Sequence, residues 1–77
     1  MKQIGVGLIG FGTVGAGVAD GLQRNRKVMA QRLGVDVVLK RIADVDIETD
    51  RGVTVDKGLL TTDALSVIND PEIHIVV

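Results

Sequence analysis

Three glycines, at positions 10, 12 and 15, form the pattern in this sequence that most clearly indicates chemistry. The run Gly10-Phe11-Gly12-Thr13-Val14-Gly15 has the form G-x-G-x-x-G and directly follows a short apolar stretch. In such a turn the first glycine allows a tight exit from a strand, the second lets a diphosphate approach the backbone, and the third lets the next helix pack closely. The amides of Gly12, Thr13 and Val14 would face the phosphates, where the helix dipole favours an anion. The sequence therefore predicts a dinucleotide-binding turn.

The same residues argue against one phosphate motif and leave two other interpretations open. A P-loop has the same glycine spacing, but it requires Lys and then Ser or Thr where this chain has Ala16 and Gly17. A methyltransferase that binds adenosylmethionine usually carries an acidic residue just before its glycines, whereas Leu8 and Ile9 precede them here. That class of enzyme, and a glycine-rich packing turn without a ligand, remain alternatives to dinucleotide binding.

A dinucleotide site also needs an acidic side chain, at the end of the second strand, that accepts the hydroxyls of the adenosine ribose. Asp44 lies at that end of the predicted second strand. More residues than usual separate it from Gly15, and a long first helix accounts for the additional residues. We therefore predict that Asp44 accepts the ribose, the alternative being that Asp44 or Asp46 is a solvated loop carboxylate. A cation near this strand end would meet the 2′-phosphate of NADP, so the cofactor is either NAD or NADP. Three cations are candidates, although each is also explained as surface charge: Arg41, Arg51 and Lys57.

Composition excludes several other classes of function. The 77 residues are 45% hydrophobic and 25% charged, so the chain is not a disordered tail. Nine basic and ten acidic residues give a net charge of −1, without a basic stripe for nucleic acid. There is no cysteine and one histidine, so no disulfide and no zinc site is expected, and His74 is predicted to be a half-buried, hydrogen-bonded residue. The opening apolar stretch is too short to span a bilayer, and we expect a cytoplasmic protein with no membrane partner.

The elements that must position the turn begin with a strand and a helix. The apolar residues 4–9 predict a buried strand, because glycines at 5 and 7 disfavour a helix. After the turn, Val14, Val18 and Leu22 are spaced by four, which predicts that they form one face of a helix. This helix extends to Leu33 either as one piece or as two pieces that meet near Asn25.

The second half of the chain repeats the alternation. We predict a strand over residues 37–43, coil over most of 45–58, and a strand over 73–77. Between the last two lies a short helix that Thr61 or Thr62 caps, with an apolar face made by Leu65 with Val67 or Ile68. Parallel strands need helical returns, so the order predicts an α/β fold: a partial, Rossmann-type parallel sheet, the βαβαβ half of a dinucleotide-binding domain.

The sequence, including the glycine turn, resembles the amino-terminal segment of bacterial homoserine dehydrogenases. The resemblance covers nearly all of the chain and rests on residues 9–15 followed by Gly17-Val18, on 41–44, and on 69–77. It implies that residues 1–77 are the amino-terminal part of an NAD(P)-binding domain. It also implies a parent enzyme that interconverts aspartate 4-semialdehyde and homoserine with NAD(P)H, in threonine and methionine biosynthesis. The alternatives are another NAD(P)-dependent amino-acid or semialdehyde dehydrogenase, and a non-catalytic module that senses dinucleotides.

Carried over by position, the resemblance assigns seven residues to the cofactor. Gly10, Gly12 and Gly15 form the diphosphate turn; Phe11, Thr13 and Val14 contact the cofactor; and Asp44 faces the ribose. Many members have Arg just before this aspartate where the chain has Ala43, so the expected preference leans from NADP to NAD. The family's catalytic residues lie in a separate domain that these 77 residues lack, and the last strand ends on an exposed apolar edge. We therefore expect a fragment, inactive alone, of a homo-oligomeric parent that binds a small-molecule substrate.

Overall fold

The computed structural model describes residues 1–77 as a parallel sheet of four strands with three helices. The elements in chain order are β1 (Lys2–Ile9), α1 (Thr13–Arg24), α2 (Arg26–Leu33), β2 (Val35–Ala43), β3 (Leu60–Thr61), α3 (Ala64–Ile68) and β4 (Ile75–Val76), with one 3₁₀ turn at Lys57–Leu59. The spatial order of the strands is β3-β2-β1-β4, and all three pairings are parallel. This arrangement confirms the predicted partial Rossmann-type fold.

The order of the strands places β1 at the point where the chain changes direction across the sheet. From β1 the chain moves outward to β2, whose Val35–Ala43 pairs with Lys2–Ile9, and then to β3. It then returns to the opposite side of β1, where Ile75 pairs with Val6. In open α/β sheets ligands bind beyond the carboxyl ends of the strands at such a switch point. The glycine turn leaves β1 at this end of the sheet.

The two faces of β1 differ in what covers them, because successive side chains of a strand point to opposite faces. On one face Val6 and Leu8 are buried with side chains of α1 and β2. On the other face Gly7 has no side chain, and a Cβ there would clash with Val67 of α3. Glycine at this position therefore lets α3 approach the strand, and the helices α1 and α3 lie on opposite faces of the sheet.

The buried face of α1 differs from the predicted one. Ala16 and Ala19 are 5% and 0% exposed, whereas Val14 is 81% exposed. Val18 and Leu22 are only partly buried against the core. Two alanines let the helix axis lie close to the sheet, and the larger Val14 then points away from it.

The helical region consists of two pieces that meet at Asn25, which is the second of the two alternatives that the sequence left open. Asn25 lies between α1 and α2, with its backbone outside the helical range, and its side-chain amide donates to the carbonyl of Gly21 at 2.9 Å. The second piece, α2, buries no residue. Arg26 joins it to the sheet through two bonds of 2.7 Å to the carboxylate of Asp36. No helix of the chain is long and apolar enough to cross a membrane.

The segment before α3 also departs from the prediction. Leu60–Thr61 forms the short strand β3, so Thr61 does not cap the helix. Asp63 is the cap instead, because its carboxylate accepts from the amides of Leu65 and Ser66 at 3.1 and 3.4 Å. Of the proposed apolar face only Val67 is fully buried.

The last strand is shorter than the predicted 73–77, since β4 covers only Ile75–Val76. His74, just before it, is exposed rather than half-buried. Its hydrogen bonding is as expected, because the Nδ1 atom accepts from the amide of Gly5 at 2.9 Å while its own amide donates to the carbonyl of Gly5 at 2.8 Å. The imidazole therefore takes part in joining β1 to the final segment.

Candidate functional site

Two of the three glycines in the turn are required by the fold itself. Gly10 has a φ of 101°, a left-handed conformation that side chains disfavour. Its amide donates to the carbonyl of Ala43 at 2.7 Å, which ties the start of the turn to the end of β2. A Cβ on Gly15 would overlap the carbonyl oxygen of Gly10. Gly10 thus allows the sharp exit from β1, and Gly15 allows α1 to begin directly against it.

The fold does not require the third glycine, Gly12. Its φ of −74° and ψ of −161° are ordinary extended values that any residue adopts. A Cβ built on Gly12 would meet no atom within 4 Å, so the chain leaves open space where a side chain would project. The missing side chain leaves the backbone accessible to a bound group, and this open space fits the close approach of a diphosphate.

The first turn of α1 offers amide groups to the same space. Gly12 precedes the helix, no side chain caps it, and the first intrahelical bond runs from the amide of Ala16 to the carbonyl of Gly12 at 2.8 Å. The amides of Thr13 and Val14 have no acceptor in the chain. Such free amides, together with the partial positive charge at the start of a helix, favour an anion.

The side chain of Phe11 is buried in the core and fixes the position of the glycine turn. Phe11 is 4% exposed and belongs to the core cluster with Leu8 and Ile42. Its amide donates to Oδ2 of Asp44. Little of Phe11 is therefore left to contact a ligand. Sequence reasoning did not predict this hydrogen bond, because two residues so far apart in the chain carry no local signal of it.

Asp44 lies against the glycine turn at the end of β2. Its Oδ1 atom accepts from the amide of Asp46 at 3.0 Å, and its Oδ2 atom accepts from Phe11. The amides of Asp46 and Phe11, with a smaller contribution from the charge of Arg51, hold the pKa of Asp44 below its ordinary value. The carboxylate is therefore ionised at neutral pH, and each oxygen retains capacity to accept a further bond, such as one from a hydroxyl.

Two hollows flank the turn, one on each side of β1. The hollow toward β2 and β3 contains Asp44 and has a volume of about 240 Å³; its other lining residues are Ile9, Gly10, Ala43, Val45, Thr62 and Ala64. The hollow toward β4 has a volume of about 430 Å³ and contains Thr13, the exposed Val14 and Val77. Gly10 lines both hollows. The arrangement fits an elongated molecule whose middle crosses the turn and whose two ends occupy the two hollows.

The loop after β2 is organised by a second carboxylate, Asp46. The hydroxyl of Thr49, with the amides of Glu48 and Thr49, donates to Asp46 and lowers its pKa to about 2. The Nη2 atom of Arg51 lies 3.5 Å from its Oδ2 atom. Nowhere in the chain do three His, Cys, Asp or Glu side chains gather so that they could hold a metal ion.

The parallel sheet with its switch point, the glycine turn at the start of α1 and the carboxylate at the end of β2 together define the class of partial Rossmann-type folds.

Comparison with known proteins shows which enzymes the chain resembles. The chain is 46% identical over all 77 residues to the homoserine dehydrogenase of Methylobacillus glycogenes and covers 19% of that protein. It is 39% identical over 77 residues to that of Bacillus subtilis and covers 18% of it. Its fold matches the crystal structure of Staphylococcus aureus homoserine dehydrogenase at pH 6.0 with a TM-score of 0.87 and 33% identity, covering 99% of this chain and 20% of the other. No family model matches the sequence.

The whole chain is similar to homoserine dehydrogenases, which confirms the predicted resemblance to the amino-terminal segment of these enzymes. It spans about a fifth of the length of the relatives that it matches.

Proposed function

We propose that this chain is the cofactor-binding segment of a homoserine dehydrogenase. In this proposal the free amides at the start of α1 bind the diphosphate of NAD or NADP, Asp44 accepts the ribose hydroxyls, and Thr13 and Val14 contact the cofactor on the β4 side. Gly10, Gly15 and the backbone of Phe11 hold the turn in position. When bound, the cofactor supplies a hydride donor and acceptor for the interconversion of aspartate 4-semialdehyde and homoserine.

The open space at Gly12 is the observation that supports the proposal best. A turn that served packing alone needs glycine where the φ is positive or where a Cβ would clash, and Gly10 and Gly15 meet those conditions. Gly12 meets neither condition. Close approach of a ligand to the backbone accounts for glycine at this position, and the free amides of Thr13 and Val14 fit an anionic ligand.

The role of these residues is to bind and orient the cofactor. The side chains that bind substrate and transfer protons belong, in this proposal, to parts of the enzyme outside the 77 residues. The location in the cytoplasm and the homo-oligomeric parent remain predictions of the same proposal. Two alternatives predicted from the sequence, another NAD(P)-dependent dehydrogenase and a dinucleotide-sensing module, differ in the substrate, or in having none, and share the same cofactor site.

The proposal is tested on the protein at its full encoded length. NADH and NADPH are titrated by fluorescence, and NAD⁺ and NADP⁺ are then tested for reduction in the presence of homoserine. Saturable cofactor binding and homoserine-dependent reduction are expected. Binding without homoserine oxidation would favour another dehydrogenase or a dinucleotide sensor, and failure to bind either cofactor would refute the proposed site.

A further inference from the structure

The direction in which the Asp44 carboxylate points depends on two amides from different parts of the chain. The amide of Phe11, in the glycine turn, donates to Oδ2, and the amide of Asp46 donates to Oδ1 at 3.0 Å. The backbone of Asp44 is held separately, because its own amide donates to the carbonyl of Thr61 at 3.0 Å. The sheet therefore fixes where this side chain begins, and the two donors fix how its carboxylate is oriented.

The two donors differ in what holds them in place. Phe11 is held by the burial of its side chain in the core. Asp46 lies in the loop after β2, where residues 45–55 take part in no backbone–backbone hydrogen bond. Its neighbour Val45 is 95% exposed and packs against nothing. The position of the Asp46 amide therefore depends on hydrogen bonds made by side chains.

The side chain of Asp46 itself makes these hydrogen bonds. Its Oδ1 atom accepts from the amides of Glu48 and Thr49 at 3.0 and 3.1 Å, and its Oδ2 atom accepts from the hydroxyl of Thr49. An aspartate that accepts from amides two and three residues further along the chain takes the place of the backbone hydrogen bond of a turn. The carboxylate of Asp46 thus orders a turn over residues 46–49, and the first amide of this turn is the one that donates to Asp44.

The amide and the charge of Asp46 act on Asp44 in opposite directions. The amide of Asp46 is the largest of the causes that hold the pKa of Asp44 below its ordinary value, whereas the negative charge of Asp46 raises this pKa. Asp46 therefore stabilises the ionised Asp44 through the position of its backbone and opposes it through its charge. A substitution that keeps the turn and removes the charge should preserve the arrangement.

Resting on the proposed function, we infer that Asp46 is a positioning residue, which orients the carboxylate of Asp44 toward the hydroxyls of the adenosine ribose. Asp46 does not line the hollow that contains Asp44, so it acts through Asp44 and not by contact with the ligand. A carboxylate that is already oriented loses less conformational freedom when it accepts a bond from a hydroxyl. The turn at residues 46–49 therefore contributes to the affinity for the ribose without touching it.

The test compares ADP with 2′,3′-dideoxyadenosine 5′-diphosphate, two probes that differ only in the ribose hydroxyls. Their affinities for the full-length protein are measured by competition with NADH, whose binding is followed by fluorescence. The wild type is expected to prefer ADP. Asp46→Ala is expected to weaken binding of ADP about 3- to 10-fold and binding of the dideoxy probe less than about 2-fold, because only ADP uses the oriented carboxylate.

Two further variants separate the position of the Asp46 side chain from its charge. Asp46→Asn keeps an oxygen for the amides of Glu48 and Thr49, and its affinity for ADP should stay within about 2-fold of the wild type. Asp46→Glu keeps the charge but moves the oxygens one methylene away, and it should lose about as much affinity as Asp46→Ala. Asp56→Ala is the control, because the exposed Asp56 also accepts from an amide two residues further on, that of Gly58 at 2.9 Å, and has no link to Asp44. This control should bind ADP normally.

Three results would overturn the inference. Equal weakening of both probes by Asp46→Ala would mean that the site loosens as a whole, and unchanged affinity for ADP would mean that Asp46 does not act on Asp44. Greater loss in Asp46→Asn than in Asp46→Glu would assign the effect to charge, and this pair decides the matter if circular dichroism shows that Asp46→Ala does not fold.

Failure of the inference and failure of the proposed function give different results in the wild type. A wild-type protein that binds NADH but does not distinguish the two probes would remove the ribose from Asp44, and the inference would fall while cofactor binding stands. A folded wild-type protein that binds neither NADH nor NADPH would refute the proposed function itself.

Discussion

Replacing Gly12 by valine separates the proposed ligand role of the glycine turn from its role in folding. Gly12 precedes α1 in an extended conformation, and a Cβ there would meet no atom within 4 Å, so the β-carbon of valine enters open space. Two small effects on stability oppose each other. Valine is a poorer residue than glycine at the position before a helix, by about 0.5 to 1 kcal/mol. Replacing glycine also lowers the conformational entropy of the unfolded chain, which stabilises the folded state by about 0.4 to 1 kcal/mol.

The effect on binding is expected to be much larger. The added side chain occupies the space into which the diphosphate must come, and it displaces the phosphates from the amides of Thr13 and Val14. One or two charge-assisted hydrogen bonds contribute about 3 kcal/mol to the binding free energy. Their loss raises the dissociation constant roughly 100-fold. The change in the free energy of unfolding is expected to remain within about 1 kcal/mol.

The assay combines NADH titration with chemical unfolding of the full-length protein. Gly21→Ala is the control, because Gly21 lies within α1, away from the turn, and like Gly12 has open space around its missing Cβ. This control should bind cofactor normally and gain about 0.5 to 1 kcal/mol from better helix propensity. Normal cofactor affinity in a folded Gly12→Val protein would refute the argument that ligand approach explains this glycine.

Three further outcomes are expected from the same structure. His74→Leu leaves the amide of Gly5 without an acceptor and should cost about 1 kcal/mol of unfolding free energy, whereas His74→Asn offers an oxygen in a similar place and should cost less; equal losses would contradict the acceptor role. Asp46 has its pKa lowered from 3.8 to about 2, so the stability that it contributes is present above about pH 4 and is lost as the pH falls toward 2. Unfolding of Asp46→Asn should therefore depend less on pH between 2 and 4 than that of the wild type, and parallel curves would exclude this contribution. Asp44→Ser should raise the ratio of NADP to NAD affinity, because it removes a charge that repels the 2′-phosphate; an unchanged ratio in cofactor titrations would assign the ribose to another residue.

The sequence predicted the strand, turn and helix around the glycines because their signals are local. Apolar runs and glycine spacing report on a few neighbouring residues, and the fold class follows from their alternation. The same local pattern predicted the wrong face of α1. Val14, Val18 and Leu22 have the larger apolar side chains, but α1 packs on the sheet through Ala16 and Ala19. The closeness of helix to strand, set by Gly15, decided which residues are buried.

Features that depend on contacts between distant residues could not be predicted. The strand β3 has two residues and exists because Leu60 and Thr61 pair with the end of β2. The hydrogen bond from Phe11 to Asp44 and the position of Arg51 beside Gly12 both result from how the loop after β2 folds back over α1. Asp44 was predicted from its place at the end of a strand, and the bond that joins it to the turn was not.

The crystal structure of the full-length protein with NAD bound tests the central claim most directly. The account predicts diphosphate oxygens at hydrogen-bond distance, about 2.7 to 3.2 Å, from amides at the start of α1. It also predicts a ribose hydroxyl on the carboxylate of Asp44 and the closest backbone approach at Gly12. A dinucleotide bound away from this turn, or one whose diphosphate contacts neither Thr13 nor Val14, would contradict it.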